Sequence, residues 1–143
     1  MAFSKVGQVT PQVTTFVANG LTGGVTYNFI IVPSNVEGEA VKTESNVLIY
    51  LASQVPDQPI AATTVLETNV NVMIQWTAPI DNYMAIDRYQ VLIGTHNGEA
   101  FIETKALCDG SKSYVMSVRT CIVPIASLIL PPYNLERLEL IKV

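Results

Sequence analysis

Apolar and polar positions alternate along much of this chain. The clearest run sets Val70, Val72, Ile74 and Trp76 against Asn69, Asn71 and Gln75. A period of two sends one set of side chains into a core and the other into water, which predicts a β-strand. Tyr89, Val91 and Ile93 repeat the pattern around Arg88 and Gln90, and Tyr27, Phe29 and Ile31 repeat it again. Turn chemistry separates these runs at Asn19 and Gly20, Gly23 and Gly24, residues 35–38, 56–59 and 79–82, and at His96, Asn97 and Gly98, where Asn-Gly favours a tight hairpin. No segment sustains a 3.6-residue period with caps. The best helical candidate is a single turn at residues 125–130, stopped by Pro131 and Pro132. Short strands punctuated in this way predict an all-β, antiparallel sandwich.

One segment breaks the alternation. From Ser45 through Val47, Leu48, Ile49, Tyr50 and Leu51 to Ala52 the chain is apolar on both faces, which suits a strand inserted against other elements more than a free edge. This is the candidate assembly strand.

Composition narrows the function classes. The 143 residues are 49% hydrophobic and 14% charged, enough for a packed core and unlike a disordered chain. Lys and Arg together number 8 against 12 acids, a net charge of −4, so no basic stripe is available for a phosphate backbone and nucleic acid is not an expected partner. The longest apolar stretch, residues 121–130, is interrupted by Pro124 and is far shorter than the roughly 20 residues of a membrane span. The first residues hold no continuous apolar run of the kind a secretory signal needs, so none is expected within the chain as given.

Cys108 and Cys121 flank a turn signal, Asp109-Gly110-Ser111, and a β-prone run at residues 114–118. A hairpin there brings the sulfurs together, and closing such a loop is worth roughly 3 kcal/mol on the chain-entropy estimate. The competing reading is a pair of buried thiols. A disulfide favours an oxidising compartment. A zinc site needs further soft ligands that the lone His96 does not supply.

Several runs together resemble fibronectin type III domains. The run from Val72 through Trp76 to Pro79, followed by Asp87, Tyr89 and Ile93, is similar to that family's strands B and C, with Trp76 and Tyr89 in the place of its core aromatics. The run from Leu21 through Gly24 and Tyr27 to Phe29 resembles its E–F turn and F strand, with Tyr27 at the tyrosine-corner position. Val55 to Pro59 resembles the proline-rich start of strand A. The segment from Cys108 through Cys121 and Pro124 to Leu135 resembles a variant found in long tandem-repeat proteins of ciliated protists. What the resemblance implies is an offset frame. Residues 1–52 would hold closing strands: E at 13–17, F at 27–32 and G at 45–52. Residues 53–143 would form a domain running from A to F and lacking its last strand. Its final strand departs from the family, with Leu138 where a turn glycine is expected and Ile141 at the tyrosine-corner place.

Three arrangements satisfy that frame: covalent neighbours in a tandem protein, strand exchange between separate chains, or a permuted domain in which residues 1–52 close the same molecule. An uncovered edge exposes unpaired backbone groups and apolar side chains worth roughly 1.5 to 3 kcal/mol each on burial. The expected partners are therefore copies of the chain itself or adjacent repeats, through main-chain strand addition.

Catalysis finds little footing. A Ser-His-acid or Cys-His site would need His96, which sits in a turn, and no Gly-rich loop opens a helix. No cofactor is expected. Asp81, Asn82 and Asp87 lie in one loop and could ligate Ca²⁺, against the plainer reading of a solvated turn. The same loop offers Asp81, Tyr83 and Met84 as contacts, with residues 33–39 beside them in the fibronectin-like frame. The chain has no Arg-Gly-Asp and no Asn-x-Ser/Thr sequon, while its many Thr and Ser residues leave O-linked glycans open. The expected protein is a non-enzymatic, extracellular or cell-surface module that packs head-to-tail into a fibre or a long surface protein. The alternative is an adhesion module that captures a glycan or a protein through its loops.

Overall fold

A computed structural model describes residues 2–43 and 46–136. The fold is all-β: nine short strands form small antiparallel sheets, with two short helices among the described residues. Contacts divide the chain into two units, Met1–Gln54 and Val55–Val143.

In the first unit, β1 (Thr26–Phe29) pairs antiparallel with β4 (Leu48–Leu51), while β2 (Ser34–Asn35) and β3 (Gly38–Glu39) form a small hairpin between them in sequence. The expected strand F is thus shorter than residues 27–32, because Ile31 and Val32 fall outside the ladder. The strand expected at residues 13–17 is not formed. Val13, Phe16 and Val17 are exposed there, and no neighbouring strand offers them a ladder. Of the expected strand G, Val47 lies just before β4, and Ser45 lies outside the described residues.

The second unit begins its sheets later than the proline-rich run suggests. Residues 56–59 form no strand, and the first is β5 (Thr63–Glu67). It pairs with β6 (Asn71–Gln75), which pairs in turn with β9 (Thr120–Pro124). The β5–β6 turn carries positive φ at Thr68 and Asn69, and the Val70 N–H donates to the Glu67 carbonyl. Asn tolerates that backbone, so Asn69 serves the turn and not the polar face of the strand, and Val70 is left exposed. A second sheet holds β7 (Leu92–Gly94) and β8 (Phe101–Glu103), joined through a 3-10 turn at His96–Gly98. The expected hairpin is present, although its loop is wider than a two-residue turn. Tyr89 lies outside β7, and its N–H donates to the Gly110 carbonyl at 3.0 Å.

Residues 114–118 are helical, which corrects the β-prone reading. Helix α1 (Ser113–Val118) is closed by Arg119 in the left-handed conformation, its N–H bonded to the Val115 carbonyl. Three β-branched or aromatic residues at 114, 115 and 118 favour a strand by propensity alone. No adjacent strand pairs with them, so the local helical bonds prevail. The turn expected at residues 125–130 is α2 (Ile125–Leu128). The final strand expected beyond Leu135 falls largely on residues 137–143, outside those described.

Register explains the core. Val72 opposes Val123 and Ile74 opposes Cys121, so all four share one face of the β6–β9 ladder. Val72, Cys108, Cys121, Val123, Leu128 and Tyr133 are buried together, and Trp76, Val91, Ile93 and Ile102 pack against them. The sandwich-like core therefore lies between β6–β9 and β7–β8. Cys108 and Cys121 form a disulfide across it, with Cα atoms 5.6 Å apart.

Replacing both cysteines by serine is expected to lower stability by about 3 kcal/mol, read from urea unfolding of the oxidised protein and the variant. Gly110 is a second sensitive point, because a Cβ there would overlap the Tyr89 carbonyl, which is backbone and cannot swing away. Gly110→Ala is expected to cost at least about 1 kcal/mol in the same assay.

Candidate assembly surface

The β1–β4 hairpin has two unlike faces. Tyr27 opposes Tyr50 and Phe29 opposes Leu48, so these four side chains share one face. Thr26, Asn28, Ile49 and Leu51 share the other. The rings of Tyr27 and Phe29 stack with centroids 6.3 Å apart, and the Tyr27 hydroxyl accepts a 2.9 Å bond from the Thr22 N–H. The hairpin is closed at its other end by Ala52, whose N–H donates to the Val25 carbonyl and whose carbonyl accepts from Gly24. Yet little covers the large side chains. Leu48 is 65% exposed, Ile49 68% and Tyr50 48%, and among the described residues of this unit only Ala52 is buried.

Each of β1, β4, β7 and β8 has one partner strand among the described residues, so each leaves one ladder edge open. On the second unit, Val91 and Ile93 turn toward the core while Leu92 is exposed. The expected aromatic pair is formed: Trp76 and Tyr89 meet edge to face with centroids 5.3 Å apart. The Trp76 indole N–H is buried without an acceptor among the described residues. The outer face of the β5–β6–β9 sheet carries Val65, Met73 and Ile122 in register, a partly exposed apolar row.

The loop candidates occupy a hydrogen-bonded turn. The Asp81 carboxylate accepts from the Tyr83 N–H at 3.1 Å, and the Met84 N–H donates to the Asp81 carbonyl. Tyr83 and Met84 are exposed. Asn82 does not face a cation site with Asp81 and Asp87. Its amide donates to the Val55 carbonyl at 2.9 Å and to the Asp57 carboxylate at 2.8 Å, while the Asp57 N–H donates to the Ile80 carbonyl. That set locks residues 55–57 to the loop. No group of three or more His, Cys, Asp or Glu among the described residues is placed to hold a metal. No described helix is long and apolar enough to cross a membrane.

Two structural residues escaped the sequence pattern. Tyr133 is buried, its hydroxyl is paired with that of Thr104, and its carbonyl accepts the His96 N–H at 2.7 Å. An aromatic directly after a Pro-Pro stop was the available signal. Gly110 looked like a turn residue, and only the proximity of Tyr89 shows why it must lack a side chain.

Asp109 opens the segment that carries Cys108 into α1. Its carboxyl is held below the ordinary value near 3.8, first by the Ser111 hydroxyl, then by the Ser111 N–H, with a smaller pull from Lys112. No family model matches the chain. No curated protein and no solved structure matches it either.

A carboxyl depressed on folding contributes stability that is complete above its unfolded value and is lost as pH falls through the folded one. Asp109→Asn is therefore expected to be less stable near neutrality and to flatten the loss of stability below about pH 4, measured by thermal unfolding across a pH series.

Proposed function

We propose that this chain is a non-enzymatic structural module that packs head-to-tail, by strand sharing or tandem repetition, into an extracellular fibre or a long surface protein. One observation carries the reading. A hairpin presenting Tyr27, Phe29, Leu48 and Tyr50 on one face belongs to a unit in which only Ala52 is buried among the described residues. Leaving such side chains in water forgoes roughly 1.5 to 3 kcal/mol each, so a neighbour that covers them is favoured.

The sheet order supports the fibronectin type III-like frame. In that frame β5, β6 and β9 take the places of strands A, B and E, β7 and β8 those of C and C′, and β1 and β4 those of F and G. The assembly strand, Val47 to Leu51, then comes as half of a hairpin and not as a single strand. A disulfide suits an oxidising, extracellular setting. A second reading, capture of a glycan or protein by loops, draws on exposed Tyr83 and Met84 in the turn that Asn82 holds in place.

Electron microscopy and sedimentation of the purified chain test the reading. Linear assemblies that grow with concentration are expected. A monodisperse, fully folded monomer at high concentration sinks strand sharing between chains and leaves covalent repetition or the loop reading.

A further inference from the structure

We infer that the acceptor for the β1–β4 hairpin is the open edge of β7 in a second copy of this chain, with β1 lying antiparallel along it. This rests on the head-to-tail reading above and adds the contact strands and the exclusion of self-closure. The result would be a four-stranded sheet ordered β8-β7-β1-β4, with β8-β7 from one copy and β1-β4 from the next.

The choice of β1 follows from register. A strand with one apolar and one polar face has its register fixed, because a one-residue slip turns every side chain over. β1 is such a strand: a slip would bury Thr26 and Asn28 and expose Tyr27 and Phe29. β7 matches it, with Val91 and Ile93 inward. β4 is apolar on both faces and would specify no register.

The choice of a second copy follows from the linker. Ile125 N–H donates to the Val70 carbonyl, and the Tyr133 carbonyl accepts from His96. The start of β6, the end of β9 and the end of β7 therefore share one end of the second unit. Residues 55–57, fixed to residues 80–82, lie beyond the end of β6, at the opposite end. With β1 antiparallel to β7, β4 runs parallel to it and delivers Ala52 near the level of His96. From there to the level of Tyr89 is roughly 23 Å at the usual rise per residue. Ala52 is tied into the hairpin and Val55 into the loop, so only Ser53 and Gln54 are free. They let Ala52 and Val55 separate by about 10 Å at most. A chain cannot place its own hairpin on its own β7 in this orientation, and each copy is left with one donor and one acceptor. Unlike surfaces in contact repeat without closing into a dimer.

Mixed cross-linking tests this directly. Chains carrying Asn28→Cys are mixed with chains carrying Leu92→Cys, both outward positions on the proposed contact strands, then oxidised and mapped by intact mass and peptide analysis. A heterodimer linked through those two cysteines, in at least ten-fold excess over either homodimer, is expected. Asn28→Cys mixed with Tyr114→Cys, on exposed α1, is expected to give no such excess. The double variant Ile49→Cys/Leu92→Cys probes self-closure: a monomeric internal link there would overturn the proposal by placing β4 of the same chain on β7. Filaments without the heterodimer would overturn this contact while leaving head-to-tail packing intact. Monomers without either would overturn both.

Discussion

The second unit depends on a tie between two sheets that are each too small to stand alone. The β7–β8 hairpin has a ladder of three residue pairs, and isolated hairpins of that kind are marginal in water. Three attachments hold it to the larger sheet: the Cys108–Cys121 bond, the Tyr89–Gly110 backbone bond and the His96–Tyr133 backbone bond. The covalent one passes through the core itself. Cys121 sits beside Val123 on β9, and Cys108 enters the same cluster from the turn after β8. Because the bond joins positions 13 apart, it closes the segment that contains α1 and lets that short, uncapped helix persist without a buried residue of its own.

The first unit has no equivalent. Its hairpin is ordered by backbone bonds at Gly24, Val25 and Ala52 and by the Tyr27 hydroxyl, all of them local constraints on shape. Shape without burial is a poor source of stability, since a backbone bond exchanged with water nets only about 1 kcal/mol while burial of one large side chain is worth more. The contrast between the units is what gives the functional reading its direction. One unit has a core with an open edge, and the other has a formed hairpin with an apolar face and no core.

Alternation made the strand-rich class legible, and the cysteine spacing made the bridge legible, because both follow from side-chain chemistry within a few residues. Trp76 and Tyr89 were legible as core aromatics for the same reason, and they meet edge to face. The strand assigned at residues 13–17 was not legible, because apolar spacing says nothing about whether a partner strand is near. Residues 114–118 failed in the opposite sense: β-branched content outweighed the absence of a ladder until the fold showed none. Asn69 was assigned to a strand face although Asn is among the few residues that accept a left-handed turn, so that signal was present and overridden by the period-two pattern. Gly110 needed tertiary information, since its reason is the Tyr89 carbonyl.

An open apolar edge is ordinarily an aggregation hazard, and proteins blunt it with charge, proline or a covering element. Here β7 and β1 carry none of these within their bounds. What can keep their association orderly is geometry. The polar positions Thr26 and Asn28 penalise a slipped register, and the two-residue joint at Ser53 and Gln54 denies the hairpin its own chain's edge in the antiparallel orientation. A longer joint would let the same hairpin fold back, and each molecule would become its own cap. On this reading Asn82, which fixes Val55 and Asp57 with a single amide, does more than brace a loop: it keeps the joint short, and a short joint turns self-completion into assembly with a neighbour.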